Sequence, residues 1–141
     1  MACVYFVGAG PGDPDLITIR GRALLERADV LIYTGSLVNP ELVAMAPARV
    51  KMDSHGMKLE EIVAAMVGHS KAGLLVVRLH SGDPSLYGAI IEQMQGLDAA
   101  GVEYQVVPGV SSLFAAAAAL QAQLTLGGVA DTVIITRPAG A

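Results

Sequence analysis

The stretch Val4-Tyr5-Phe6-Val7-Gly8-Ala9-Gly10-Pro11-Gly12-Asp13-Pro14-Asp15 constrains this chain more than any other. Its first four residues are β-branched or aromatic and read as a short buried strand. Three glycines and two prolines then break that strand at once. Glycine lets a ligand come close to the backbone because no Cβ intervenes, and proline stiffens a loop by fixing φ. Such a break predicts a preformed ligand loop at the carboxyl end of a first strand, where open α/β sheets bind ligands.

The rest of the chain repeats the strand–helix alternation. Strands are predicted at Val30–Tyr33, Arg49–Met52, Leu74–Leu79 and Tyr104–Val107. Between them, Ile17, Leu24 and Ala28 mark one face of a helix capped by Thr18 or Asp15, and Asn39-Pro40 opens a short helix that stops at Pro47. Leu59, Ile62, Val63, Met66 and Val67 give the clearest helical period, ended at Gly73. A further helix carries Tyr87, Ile90, Ile91, Met94 and Leu97 on one side, and Ser112 caps a helix running from Leu113 through five alanines to Leu120. The alternation predicts an α/β fold, a mostly parallel sheet with flanking helices. A last strand is expected at Thr132–Thr136. The expected organisation is an N-terminal α/β domain over 1–110, a connecting helix and linker over 111–131, and the start of a second α/β domain over 132–141.

Composition narrows the function. The chain has 141 residues, 53% hydrophobic and 16% charged, enough for one real core and against disorder. A net charge of −4 argues against a nucleic-acid partner. No apolar run reaches the ~20 residues of a membrane span and the N-terminus lacks a basic leader, so a cytoplasmic protein with no membrane partner is expected. Cys3 is the single cysteine, and His55, His69 and His80 have no ligand spacing, so no metal site is expected.

Gly8-Ala9-Gly10-Pro11-Gly12 suggests a dinucleotide fingerprint but fails it. The final glycine is replaced by Asp13, and Tyr33-Thr34-Gly35 offers no acidic residue after the second strand. Two more loops follow strands. In Ser81-Gly82-Asp83-Pro84 the carboxylate can accept hydrogen bonds from a ligand's hydroxyl or amine groups, or cap the next helix. Pro108-Gly109-Val110-Ser111-Ser112 alone reads as a bend and a cap. Parallel strands would gather these three loops at one edge of the sheet.

Four segments in sequence carry a resemblance: Val7–Thr18, Ala28-Asp29-Val30, Ser81–Gly88 and Val107–Ser112. Together they resemble the tetrapyrrole methylases, S-adenosylmethionine-dependent methyltransferases of corrin and sirohaem biosynthesis, over essentially all 141 residues. Tyr33–Pro40, Tyr87–Met94 and the alanines Ala115–Ala119 are most similar to the branch that methylates precorrin-4 or cobalt-precorrin-4 at C11. The uroporphyrinogen-III branch usually has aspartate where Thr34 stands. Alternatives are a methyltransferase acting on precorrin-2 or precorrin-3, and an inactive or binding-only fragment. The resemblance implies a two-domain homodimer with the cofactor in the interdomain cleft, of which this chain matches the first domain, the connection and the first strand of the second.

It further implies S-adenosyl-L-methionine as methyl donor, contacted by Pro11, Ser81, Gly82, Asp83, Leu86, Ser111 and Ser112. The loop with Gly10, Gly12, Asp13 and Ser36 would face the tetrapyrrole substrate, and Tyr33 and His55 are candidate bases. The substrate's carboxylates would meet some of Arg20, Arg22, Arg49, Lys51, Lys58 and Arg78, since guanidinium pairs well with carboxylate.

Overall fold

The computed structural model describes residues 1–138, so the end of the expected second-domain segment, 139–141, lies outside the described residues. Five strands form one sheet: β1 (Val4–Gly8), β2 (Val30–Tyr33), β3 (Val50–Asp53), β4 (Val76–His80) and β5 (Tyr104–Val107). Their spatial order is β3-β2-β4-β1-β5, and every pairing is parallel, as the strand–helix alternation predicts. The helices are α1 (Ile19–Leu25), α2 (Pro40–Met45), α3 (Leu59–Lys71), α4 (Ile90–Ala99) and α5 (Ser112–Ala119).

Successive side chains on a strand point to opposite faces, and the two cores divide accordingly. Val7, Leu31, Val77 and Leu79 pack with Leu24 and Leu25 of α1 and Leu42 of α2. Val4, Phe6, Val30, Ile32 and Val76 pack with Ile62 and Met66 of α3 and with Ile90 and Leu97 of α4. Phe6, Leu31, Ile32 and Leu79 are fully buried, each contributing about 1.5–3 kcal/mol through removal from water. The same alternation sends Arg78 and His80 toward the α3/α4 face, Arg78 level with Phe6 and Ile32.

The helix starts follow their caps. The Thr18 hydroxyl accepts from the Gly21 amide at 3.0 Å, and the Asn39 side chain accepts from Glu41 at 2.9 Å. The Glu61 carboxylate accepts from the Lys58 amide at 2.7 Å at the start of α3. The cap of α5 is Ser111 rather than Ser112, which is the first helical residue.

Two expectations change. The segment Pro84–Ala89 is not helical: Tyr87 and Ala89 take left-handed φ values of 56° and 49°, and α4 begins only at Ile90. Tyr87 and Ile91 are therefore exposed rather than on the buried side. Thr132–Thr136 forms no strand, because among the described residues no neighbouring strand lies beside it to pair its backbone. Helix α5 buries none of its residues. No helix of the described residues is long and apolar enough to cross a membrane.

Candidate functional site

The chain connection after β4 leaves toward the α3/α4 face, whereas those after its neighbours β1 and β2 leave toward the α1/α2 face. A strand whose neighbours connect on the other side opens a crevice at its carboxyl end. The loops after β1, β4 and β5 meet in the crevice between β1 and β4.

They interlock through glycine. A Cβ at Gly8 would stand 2.6 Å from the Gly109 Cα, and one at Gly109 would stand 2.2 Å from the Gly82 carbonyl oxygen. Gly10 and Gly82 exchange backbone hydrogen bonds, Gly10 N to Gly82 O at 3.2 Å and Gly82 N to Gly10 O at 2.7 Å. This pairing uses left-handed φ values of 78° at Gly10 and 59° at Gly82.

Asp83 ties two of the loops together. One carboxylate oxygen accepts from the Ser85 amide at 2.8 Å and from the Ser85 hydroxyl, and the other accepts from the Gly109 amide at 2.9 Å. Partial burial pushes the Asp83 pKa up, but the hydrogen bonds from Ser85 and Gly109 outweigh it and hold the carboxyl below its ordinary range. The carboxylate that the sequence offers to a ligand is thus engaged in holding the loops in register.

Around these loops lies a cavity of about 350 Å³. Pro11, Ser81, Gly82, Asp83, Leu86, Ser111 and Ser112 all line it, together with Gly10, Leu37, Tyr87 and Arg137. Among the described residues the Ser81 and Ser112 hydroxyls make no hydrogen bond to protein, so both are free for a ligand. The Arg137 guanidinium lies 5.1 Å from the centre of the Tyr87 ring.

The other singled-out residues stand elsewhere. Gly12 uses its carbonyl to accept from the Asn39 side chain at 2.8 Å, and Asp13 caps the short 3-10 turn Pro14–Leu16 by accepting from Asp15 at 2.9 Å. Ser36 is exposed beside Leu37, outside the cavity lining. Tyr33 packs against the α1/α2 core and lines a separate cavity with Asp53, and His55 is exposed on the loop after β3. Neither candidate base is brought to the cavity. Asp53 holds that region together: its carboxylate accepts from the His55 and Gly35 amides, which depress its pKa in that order.

The lining residues not foreseen are Leu37, Tyr87 and Arg137. An apolar residue in the Gly35-Ser36-Leu37 loop was a usable signal for the first. Tyr87 was masked by its apparent fit to a helical period, and nothing local marks Arg137.

A parallel, doubly wound sheet with a backbone-lined cavity at its carboxyl edge defines the class of small-ligand α/β domains. The sequence matches the description of the Tetrapyrrole (Corrin/Porphyrin) Methylases over residues 3–141, and the chain belongs to that family. A cobalt-precorrin-4 C(11)-methyltransferase of Priestia megaterium is 51% identical over 138 residues, 97% of this chain and 54% of that protein. The solved structure of a cobalt precorrin-4 methyltransferase, a cobalamin biosynthetic enzyme, superposes with a TM-score of 0.94 at 51% identity, covering 97% of this chain and 58% of that one. A uroporphyrin-III C-methyltransferase of Thermus thermophilus, solved in complex with S-adenosylhomocysteine, gives 0.78 at 38% identity, covering 93% of this chain and 53% of that one. The chain spans about half the length of the curated relatives it matches.

Proposed function

We propose that this chain is the N-terminal domain of an S-adenosylmethionine-dependent methyltransferase that methylates precorrin-4, with or without cobalt, at C11. The observation that carries the reading is the single cavity lined by Pro11, Ser81, Gly82, Asp83, Leu86, Ser111 and Ser112. Its relatives at about half identity bear the C11 name. The cavity fits the cofactor's chemistry. It is mixed polar and apolar, two free hydroxyls face it, and Gly10 and Gly82 present backbone without a Cβ.

The cofactor, when bound, supplies a methyl group on a sulfonium already reactive toward a carbon nucleophile. The chain's own residues then act by placement. Ser81 and Ser112 offer hydrogen bonds, and Asp83 keeps the β4 and β5 loops at fixed separation through Ser85 and Gly109. Leu37, Leu86 and Tyr87 supply the apolar part of the lining. Homodimeric assembly, supported by the exposed apolar residues of α5 and the segment after it, and a cytoplasmic setting, supported by the biosynthetic role of the relatives, complete the proposal.

Calorimetry with S-adenosylhomocysteine tests the cofactor site. Micromolar binding is expected, weakened severalfold in Ser112→Ala and at least tenfold in Asp83→Ala. Absence of binding in the protein with its remaining half present overturns the reading. Incubation with precorrin-4 and methyl-labelled cofactor tests the carbon: one new methyl resonance at C11 is expected, and a methyl elsewhere assigns a different corrin methyltransferase.

A further inference from the structure

We propose that a second cavity, over Arg78, binds a carboxylate. On the reading just given, with which this proposal stands, that carboxylate is one side arm of the tetrapyrrole. The cavity measures about 380 Å³ and opens on the α3/α4 face, on the other side of β4 from the cofactor cavity. The Pro84–Ala89 segment separates the two: Tyr87 lines the first, Gly88 and Ala89 the second.

Arg78 lines this cavity and is only 4% exposed. Its Nε donates to Gln93 Oε1 at 3.2 Å, and Gln93 is itself fixed by donating to the Ala89 carbonyl at 3.1 Å. The Arg78 Nη1 is buried and has no partner. Among the described residues the one ion pair is Arg22–Glu26, so no carboxylate of those residues pairs with Arg78. Burial lowers its pKa to about 10, which leaves the group charged at neutral pH. A buried, charged, half-satisfied guanidinium is strongly unfavourable unless a counter-ion completes it.

One further feature points to an anion. Helix α4 starts at this cavity, its N-cap residue Ala89 in the lining, without a side-chain cap for its first amides. Thr34 and Ser54 also line the wall, with their hydroxyl hydrogens used within the chain: Ser54 donates to the Tyr33 carbonyl at 3.1 Å and accepts from Thr34 at 3.1 Å. Of the other basic candidates, Arg20 donates to Gln105, Arg22 pairs with Glu26, the Lys51 ammonium donates to the Val43 carbonyl, and Arg49 and Lys58 are not in the cavity lining. Glu92 also lines the cavity. Its carboxylate opposes an anion, so the single guanidinium suits a monoanion rather than a dianionic phosphate, and the planar guanidinium matches a planar carboxylate.

Sodium propionate and uroporphyrin, an octacarboxylate tetrapyrrole, are the probes. In the nitrogen-15-labelled protein, propionate is expected to shift the Arg78 Nε–H and the Ile90 and Ile91 amides. Arg78→Met should abolish these shifts and weaken uroporphyrin binding about tenfold. Glu92→Gln, on the exposed side of α4, should tighten propionate binding at least threefold by removing the opposing charge, and it serves where Arg78→Met fails to fold. No propionate shift, or an affinity unmoved by Glu92→Gln, overturns the site. Propionate shifts with uroporphyrin binding unmoved by Arg78→Met support a site for free small carboxylates and overturn the tetrapyrrole arm. S-adenosylhomocysteine calorimetry, which reads the other cavity, tells failure of the methyltransferase reading from failure of this one.

Discussion

A methyl group added at Gly109 would meet the Gly82 carbonyl oxygen and the Gly8 Cα at once, and both are backbone atoms that cannot rotate aside. Gly109→Ala is therefore expected to destabilise the chain by about 3 kcal/mol, at the upper end for overpacking. Urea denaturation reads the stability, and loss of S-adenosylhomocysteine binding reads the loosened cavity. His80 makes a different prediction. Burial, helped by the neighbouring Arg78 charge, lowers its pKa from the usual 6.5 to about 3. Below about pH 6.5 the unfolded chain takes up a proton that the folded chain refuses. The His80 contribution is thus complete above that pH and is lost progressively toward pH 3. Stability should fall by about 2 kcal/mol between pH 7 and pH 5 on this account. His80→Gln should flatten that slope in urea melts recorded at both pH values, and an unchanged slope refutes the assignment. Neither role was legible in the sequence. Val-Val-Arg-Leu-His reads as a strand with one charge. That the strand is central, with both polar side chains turned onto a helix layer, depends on pairing with residues some 70 positions earlier.

At the level of elements, the strands were legible because β-branched runs bounded by glycine and proline admit few other readings, and β2 and β5 fall where the pattern places them. The loops around the cavity between β1 and β4 were legible for a related reason. Glycine, proline, aspartate and serine after a strand mark backbone that turns sharply and leaves polar groups free. The start of α4 was not legible, because two non-glycine residues in the left-handed region override the apolar period. Such conformations cost energy and persist where a site needs them. Ala89→Gly should remove about 1 kcal/mol of that strain, raising the urea midpoint while leaving the S-adenosylhomocysteine affinity within twofold. A lowered midpoint would show that Ala89 is not strained. Thr132–Thr136 shows the converse limit: strand propensity without a neighbour gives no strand.

At the scale of the whole molecule, one region of the described residues exposes apolar surface. Phe114 is 60% exposed, Leu120 77%, Val129 78% and Ile134 83%, and α5 packs on neither core. Apolar surface of this extent drives association. The 141-residue chain alone is expected to self-associate in light scattering, with a monodisperse monomer as the contrary result. The parallel sheet has a second consequence, which concerns time. Among the described residues strand β1 pairs with β4 and β5 alone, so it finds no strand neighbour until the chain has grown past residue 76. At roughly 5–20 residues per second on the ribosome, Val4–Val7 waits for several seconds as an unpaired apolar ribbon, and the Gly8–Gly109 contact closes later still. Of the five strands, β1 has the longest interval between its synthesis and its first pairing, and a nascent chain of this design depends on shelter throughout that interval.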